Sequence, residues 1–293
     1  MLLTRWTWAL CFALLGNWPS FSCPRQNEHV AQVAEISFQL YNDHLIVVKG
    51  NIGSIENVNI VMDTGTSPTE ISTEIFKRLN LRGNTESLDS LNGKIDVQSA
   101  IVMRIDIGAL HIAPARVVVK DLGFMERSLG ITIAAVAGLD ILGVRNFIID
   151  FRKNKIFFTS TPALRNSTRF EKQNPYLTVR ANIGGEDFRL LVDSGTPGLL
   201  LFQKCLYRGT TRLERLANAS SGASMFTAIG SMHAERFRAR DVRLGTHNIG
   251  PQTVLVADRN PDPNFEFDGL LGLGKAEFQR IGFDFENGLL GWE

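Results

Sequence analysis

Val58-Asn59-Ile60-Val61-Met62-Asp63-Thr64-Gly65-Thr66 recurs later in the chain as Phe188-Arg189-Leu190-Leu191-Val192-Asp193-Ser194-Gly195-Thr196. Each copy is an apolar run that ends in aspartate, a hydroxyl residue, glycine and threonine. A short apolar run bounded by turn residues reads as a buried strand, so each aspartate is predicted to end a rigid element. Glycine after the hydroxyl residue permits a sharp turn and a close approach of backbone to whatever lies opposite.

The repeat extends outward from this stretch. Upstream, His44 to Gly53 and Pro175 to Gly184 both alternate into Asn-Ile-Gly, as a strand entering a hairpin does. The spacing from that asparagine to the aspartate is one residue longer in the first copy, Asn51 to Asp63 against Asn182 to Asp193. Downstream, Gly108 and Gly245, Pro114 and Pro251, and Asp121 and Asp258 are each 137 residues apart. The same offset places Gly93 on Gly230, each at a predicted hairpin tip, and Asn92-Gly93 is a strong two-residue turn signal. Ala137-Gly138-Leu139-Asp140-Ile141-Leu142-Gly143 is set against Asp268-Gly269-Leu270-Leu271-Gly272-Leu273-Gly274, and both are followed by a strand ending in Asp-Phe, Asp150-Phe151 and Asp284-Phe285. Matches in one order along the whole chain are the signature of a duplicated unit.

Short Val/Ile/Leu/Phe runs separated by Gly, Asn and Pro predict a mainly β fold with few short helices, Thr73 to Leu81 and Gln203 to Leu216 being the helical candidates. The expected organisation is a signal peptide over 1–22, a first lobe over 23–160 and a second over 161–293, joined near Thr159 to Gln173. Arg5, the apolar Trp6 to Leu15 and the small-x-small Ser20-Phe21-Ser22 have the order of a secretory signal. Its apolar core is too short to span a bilayer, which takes roughly 20 residues. A secreted or periplasmic location is expected. A lipid anchor at Cys23 is the alternative, opposed by Ser20, where a lipoprotein signal usually has Leu.

Bulk composition excludes several classes. Thirty-one basic and 30 acidic residues leave a formal charge of +1, with no long basic run to capture nucleic acid. Removing Cys11 with the signal leaves Cys23 and Cys205, a single pair that cannot form a disulfide framework, and no Cys/His cluster has zinc spacing. The five histidines are scattered. No cofactor and no metal are expected.

If the two halves pack face to face, Asp63 and Asp193 meet at the axis between them. Like charges disfavour each other, so over a working range one carboxyl holds a proton and the other does not. The charged one takes a proton from a water and the protonated one donates to a carbonyl, which is general acid–base hydrolysis without a covalent intermediate. Thr64, Gly65, Thr66, Ser194, Gly195 and Thr196 are the residues expected to hold the turns, with the hydroxyls of Thr66 and Thr196 bonding to backbone across the axis.

These residues resemble those of the retropepsin-like and pepsin-like aspartic peptidases, and most of all exported two-lobed members whose lobes are each retropepsin-like. Asp63-Thr64-Gly65-Thr66, Asp193-Ser194-Gly195-Thr196, Ile141-Leu142-Gly143 and Leu270-Leu271-Gly272 carry the resemblance, over roughly residues 36 to 293. In that family the hydrophobic-hydrophobic-Gly strand threads behind the catalytic turn. The resemblance implies two homologous β lobes related by a pseudo-two-fold axis, an aspartic endopeptidase and a peptide or protein substrate. One chain then supplies both halves of the site, so a monomer is expected. Pepsin-like enzymes carry a flap tyrosine, and Tyr41, Tyr176 and Tyr207 all lie away from the flap candidates around Leu91 to Val97 and Met225 to Met232. Glycines Gly93 and Gly230 there favour one flap per lobe. A catalytically silent, exported peptide-binding protein of the same fold is the second reading.

Overall fold

The computed structural model describes residues 34–90, 93–159, 164–173, 176–207, 213–215, 223–227, 230–261, 263, 265–274 and 278–293. Residues 1–22, expected to be a signal peptide, and Cys23 lie outside them. The chain is mainly β and is built twice on one plan.

In the first lobe, Leu45–Ile52 and Ile55–Met62 form an antiparallel hairpin, and Ala135–Ala137 runs parallel beside Ile60, Val61 and Met62. Glu70–Ser72 lies between that strand and Ala115–Lys120, which in turn pairs with Gly93–Val102 of the hairpin Gly83–Ser90/Gly93–Val102. The second lobe repeats each pairing. Tyr176–Ile183 and Glu186–Asp193 form the hairpin, and Gly269–Gly272 lies parallel to Leu190–Asp193. Leu199–Leu201 then bridges to Gln252–Ala257, which carries Gly230–Ala239 and its hairpin partner Ala223–Thr227.

The one-residue difference between the copies is a β-bulge. Register shifts between Gly50 and Ile52, so that Asn51 faces both Glu56 and Asn57, whereas Asn182 faces Asp187 with no shift. Asn57 takes a left-handed φ of 54°, tolerable for asparagine, and its N–H donates to the Asn51 side chain at 3.0 Å.

Strand register corrects one expected equivalence. Asp193 sits opposite Gly272, and the first-lobe pairing of Met62 with Ala137 puts Gly138 next to Asp63. The hydrophobic-hydrophobic-Gly strand of the first lobe is therefore Val136-Ala137-Gly138, not Ile141-Leu142-Gly143, and Gly138 corresponds to Gly272 rather than to Gly269. Ile141 and Leu142 belong instead to a short helix, Leu139–Leu142, which buries Leu139, Ile141 and Leu142. Repeated Gly-Leu pairs permitted the wrong register. Main-chain packing decides it, because an added Cβ at Gly138 or Gly272 meets the carbonyl oxygen of Thr66 or Thr196 at 2.4 and 2.3 Å.

The helix expected from Thr73 spans Thr73–Arg78, with Ser72 capping the Ile75 N–H at 3.2 Å. It stops early because Asn80 turns left-handed at φ 49° and the Leu81 N–H returns to Phe76, satisfying the last carbonyls. Of the stretch Gln203 to Leu216, the described residues do not form the expected helix: Gln203–Tyr207 is a 3₁₀ turn, and Leu213–Arg215 is a strand in the ladder of Gly230–Ala239. Among the described residues no helix is long and apolar enough to cross a membrane.

An antiparallel sheet joins the lobes, in the order Ala34–Tyr41, Lys155–Phe158, Phe147–Asp150, Arg280–Asp284, Leu289–Trp292 and Asn166–Gln173. Its centre is the pairing of Phe147 with Phe283 and Ile149 with Ile281, and the pseudo-two-fold axis passes there. The Phe147 and Phe283 rings pack with centroids 4.8 Å apart. Polar bonds cross the seam on both sides: Asn146 Nδ2 donates to Asp284 at 3.2 Å, and Arg280 pairs with Asp150 at 3.3 Å.

Asp284 is buried, and hydrogen bonds from Asn287 and Asn146 overcome the desolvation of that burial and hold its carboxyl below the usual aspartate range. A depressed pKa adds stability above the unfolded-state value that is lost as pH falls through the folded one. Asp284→Asn is thus expected to lower stability by about 1–3 kcal/mol near pH 6. The deficit should shrink as pH falls through the depressed folded-state value, as read by urea unfolding across pH.

Candidate active site

Each aspartate follows or ends a buried strand. The Asp63 N–H donates to Ala137 O at 3.0 Å, which ties the first turn to the strand behind it. The chain then folds over its own carboxylate. Asp63 accepts from the Gly65 N–H at 2.8 Å and from the Thr66 hydroxyl at 3.1 Å. Asp193 repeats this with the Gly195 N–H at 2.7 Å and the Thr196 hydroxyl at 2.7 Å. Thr66 and Thr196 therefore orient their own lobe's carboxylate and do not bond to backbone across the axis as expected.

Thr64 and Ser194 make the cross-axis bonds. Thr64 Oγ1 donates to Val192 O at 2.9 Å and accepts from the Ser194 N–H at 3.0 Å. In return Ser194 Oγ donates to Met62 O at 3.1 Å and accepts from the Thr64 N–H at 3.0 Å. Thr64 and Ser194 are both 1% exposed, so these bonds are made out of water's reach and fix the turns against each other.

The turns meet so closely that glycine is required at both by space. A Cβ on Gly65 falls 2.5 Å from Asp193 Cγ, and one on Gly195 falls 2.7 Å from Asp63 Oδ2. Neither glycine has a left-handed φ, so close approach, and not the turn, excludes a side chain. The two carboxyl groups are thereby brought together on the axis, close enough for each to act on the other's titration.

Burial first, and then the charge of Asp193, push the Asp63 carboxyl well above the ordinary aspartate range, against the stabilising bond from Gly65. Burial also raises Asp193, opposed by the bonds from Thr196 and Gly195. The proton belongs to the pair, which holds one proton between them at pH values where isolated aspartates are ionised. Burial lowers the His44 pKa, with the field of Asp63 opposing.

A support on the first lobe escaped the reading of the sequence. Thr69 is wholly buried, donates through its hydroxyl to Asp140 at 2.7 Å and through its N–H at 3.0 Å, and accepts from the Gly138 N–H at 3.0 Å. Strand register puts Leu199 in Thr69's place on the second lobe, so the repeat offered no signal for the pair.

Gly93 and Gly230 pair with Ser90 and Thr227 at the ends of the two flap-like hairpins, and the connecting residues 91–92 and 228–229 lie outside the described ones. Among the described residues no group of three or more His, Cys, Asp or Glu side chains gathers as a metal site.

Two β lobes that each bring one Asp-Thr/Ser-Gly-Thr turn to a shared axis define a two-lobed, retropepsin-like aspartyl protease architecture. The chain belongs to the aspartyl protease family, whose model matches it twice, at residues 48–140 and 179–274. No curated protein matches the chain.

Proposed function

We propose that the protein is an active aspartic endopeptidase in which Asp63 and Asp193 activate water. The observation that carries this reading is the pair of carboxyls that the two closely packed turns bring together, each aligned by a glycine N–H and a threonine hydroxyl. Water held between them loses a proton to the ionised carboxyl as its oxygen attacks the peptide carbonyl. The protonated carboxyl donates to the carbonyl oxygen, giving a neutral tetrahedral diol. Collapse of the diol returns a proton to the oxygen's side of the pair and delivers one to the leaving nitrogen, so the dyad ends as it began. Activity then needs one proton on the dyad, and it declines where both carboxyls are protonated or both ionised.

An extended substrate pairs its main chain with the flap hairpins and the turns, while pockets beside the axis read its side chains. The protein acts outside the cytoplasm after removal of residues 1–22, and Cys23 is the site of a lipid anchor if one is attached. A single chain provides both aspartates, so the working form is a monomer.

Mature protein incubated with a diverse peptide mixture from about pH 3 to pH 7 tests this reading, with Asp193→Asn as its partner. The variant is expected to lose at least about 10³-fold in rate, within the range of a lost general acid–base group. No cleavage by the folded native protein at any pH would move the assignment to the peptide-binding reading.

A further inference from the structure

The two lobes differ in charge beside the dyad. In a strand, alternate side chains share a face, so Leu191 and Asp193 point the same way. Register extends that face sideways from Leu191 to Leu270, Leu200 and Leu255, with Ala257 two residues further on. Together with Phe202 and Phe267 these residues form one apolar cluster. The same steps on the first lobe run from Val61 to Val136, Glu70 and Val118, with Lys120 two residues further on. Glu70 thus replaces Leu200, and Lys120 replaces Ala257.

The charged pair is placed to meet a ligand. Glu70 Oε1 and Lys120 Nζ form an ion pair at 3.6 Å, and each side chain is 15% exposed, whereas Leu200 is fully buried. Burial raises the Glu70 carboxyl above the ordinary glutamate range; Lys120 opposes this, and the charge of Asp63 adds to it. Glu70 therefore lies within the field of the dyad, and a carboxylate has acceptor positions for more than one donor.

We infer that Glu70, backed by Lys120, is a specificity-determining residue that gives the first lobe a subsite for a lysine or arginine side chain of the substrate. The inference rests on the peptidase reading for its direction across the scissile bond. An extended peptide crossing the pseudo-two-fold axis lays positions equidistant from that bond on equivalent surfaces of the two lobes. The basic residue is thus required on one side only, and the related position on the other side meets the apolar surface of the second lobe.

Positional-scanning peptides cleaved by the native protein, Glu70→Gln and Glu70→Leu provide the test, with thermal melts to establish that each is folded. The native protein should prefer Lys or Arg over Leu at one position by roughly 10-fold or more, the scale of one charge-assisted hydrogen bond. Glu70→Gln keeps the shape and should lose most of that preference, and Glu70→Leu should turn it toward Leu while still cleaving peptides that lack a basic residue. An unchanged profile in both variants overturns the subsite and leaves the peptidase standing. If none of the three cleaves, the peptidase reading fails, and the same peptides, fluorescently labelled, are titrated for binding. Selectivity for basic peptides that disappears with Glu70 then upholds the subsite, and binding indifferent to Glu70 overturns it.

Discussion

Gly195→Ala is expected to lower the rate of peptide cleavage by at least about 10²-fold, although it adds a single methyl group at a position without a left-handed φ. The new methyl carbon falls 2.7–3.0 Å from all three atoms of the Asp63 carboxyl group. Asp63 cannot yield without breaking its bonds to the Gly65 N–H and the Thr66 hydroxyl, and the Gly195 turn cannot yield without opening the Thr64–Ser194 bonds. Either displacement misplaces a reacting group by a good part of an ångström, which alone costs on the order of 10²-fold. Overpacking should also remove about 1–3 kcal/mol of stability. Gly65→Ala should behave alike, since its Cβ meets Asp193 Cγ at 2.5 Å. Kinetics and urea unfolding on the two variants check the claim. Native-like rates from either would mean that the carboxyls do not act as a closely spaced pair.

The same contact explains what could be read from the sequence and what could not. The twofold acidic turn, its apolar strand and the 137-residue offset were visible because repeated backbone geometry leaves repeated residue types. Gly108 and Gly245 are examples, with left-handed φ of 56° and 55° at the same hairpin. Features particular to one lobe had no such echo. The Thr69–Asp140 support faces Leu199 in the other copy, and the Glu70–Lys120 pair faces Leu200 and Ala257, so comparison of the halves passed over both. Roles within the turn were also beyond reach. Thr64 and Thr66 are both hydroxyl residues beside Asp63, and only the direction of each side chain decides that the first bonds across the axis and the second holds its own carboxylate. Register between Gly138 and Gly272 failed for a related reason, because glycine–leucine pairs recur every few residues there and only the parallel ladder selects among them.

Asp63→Asn should abolish cleavage and stabilise the fold at neutral pH. The folded protein raises this carboxyl above its unfolded value of about 3.9, so between the two values the native state holds a proton that the unfolded chain has released. Stability must then fall as pH rises through that window, by about 1.4 kcal/mol for each unit crossed. From 3.9 to pH 7 the penalty reaches at most about 4 kcal/mol, and access of solvent from the cleft reduces it. Asparagine removes the titration at little structural cost. Its carbonyl oxygen can still accept from the Gly65 N–H, and the Thr66 hydroxyl can rotate to accept from the amide where it formerly donated. The variant and the native protein should therefore unfold at similar urea concentrations near pH 4 and diverge toward pH 7, with the inactive variant the more stable. A gap that stays constant across this range would show that the raised Asp63 carboxyl does not set the pH dependence. A gap that opens as described would show that the arrangement which shares a proton for catalysis is held against the stability of the fold.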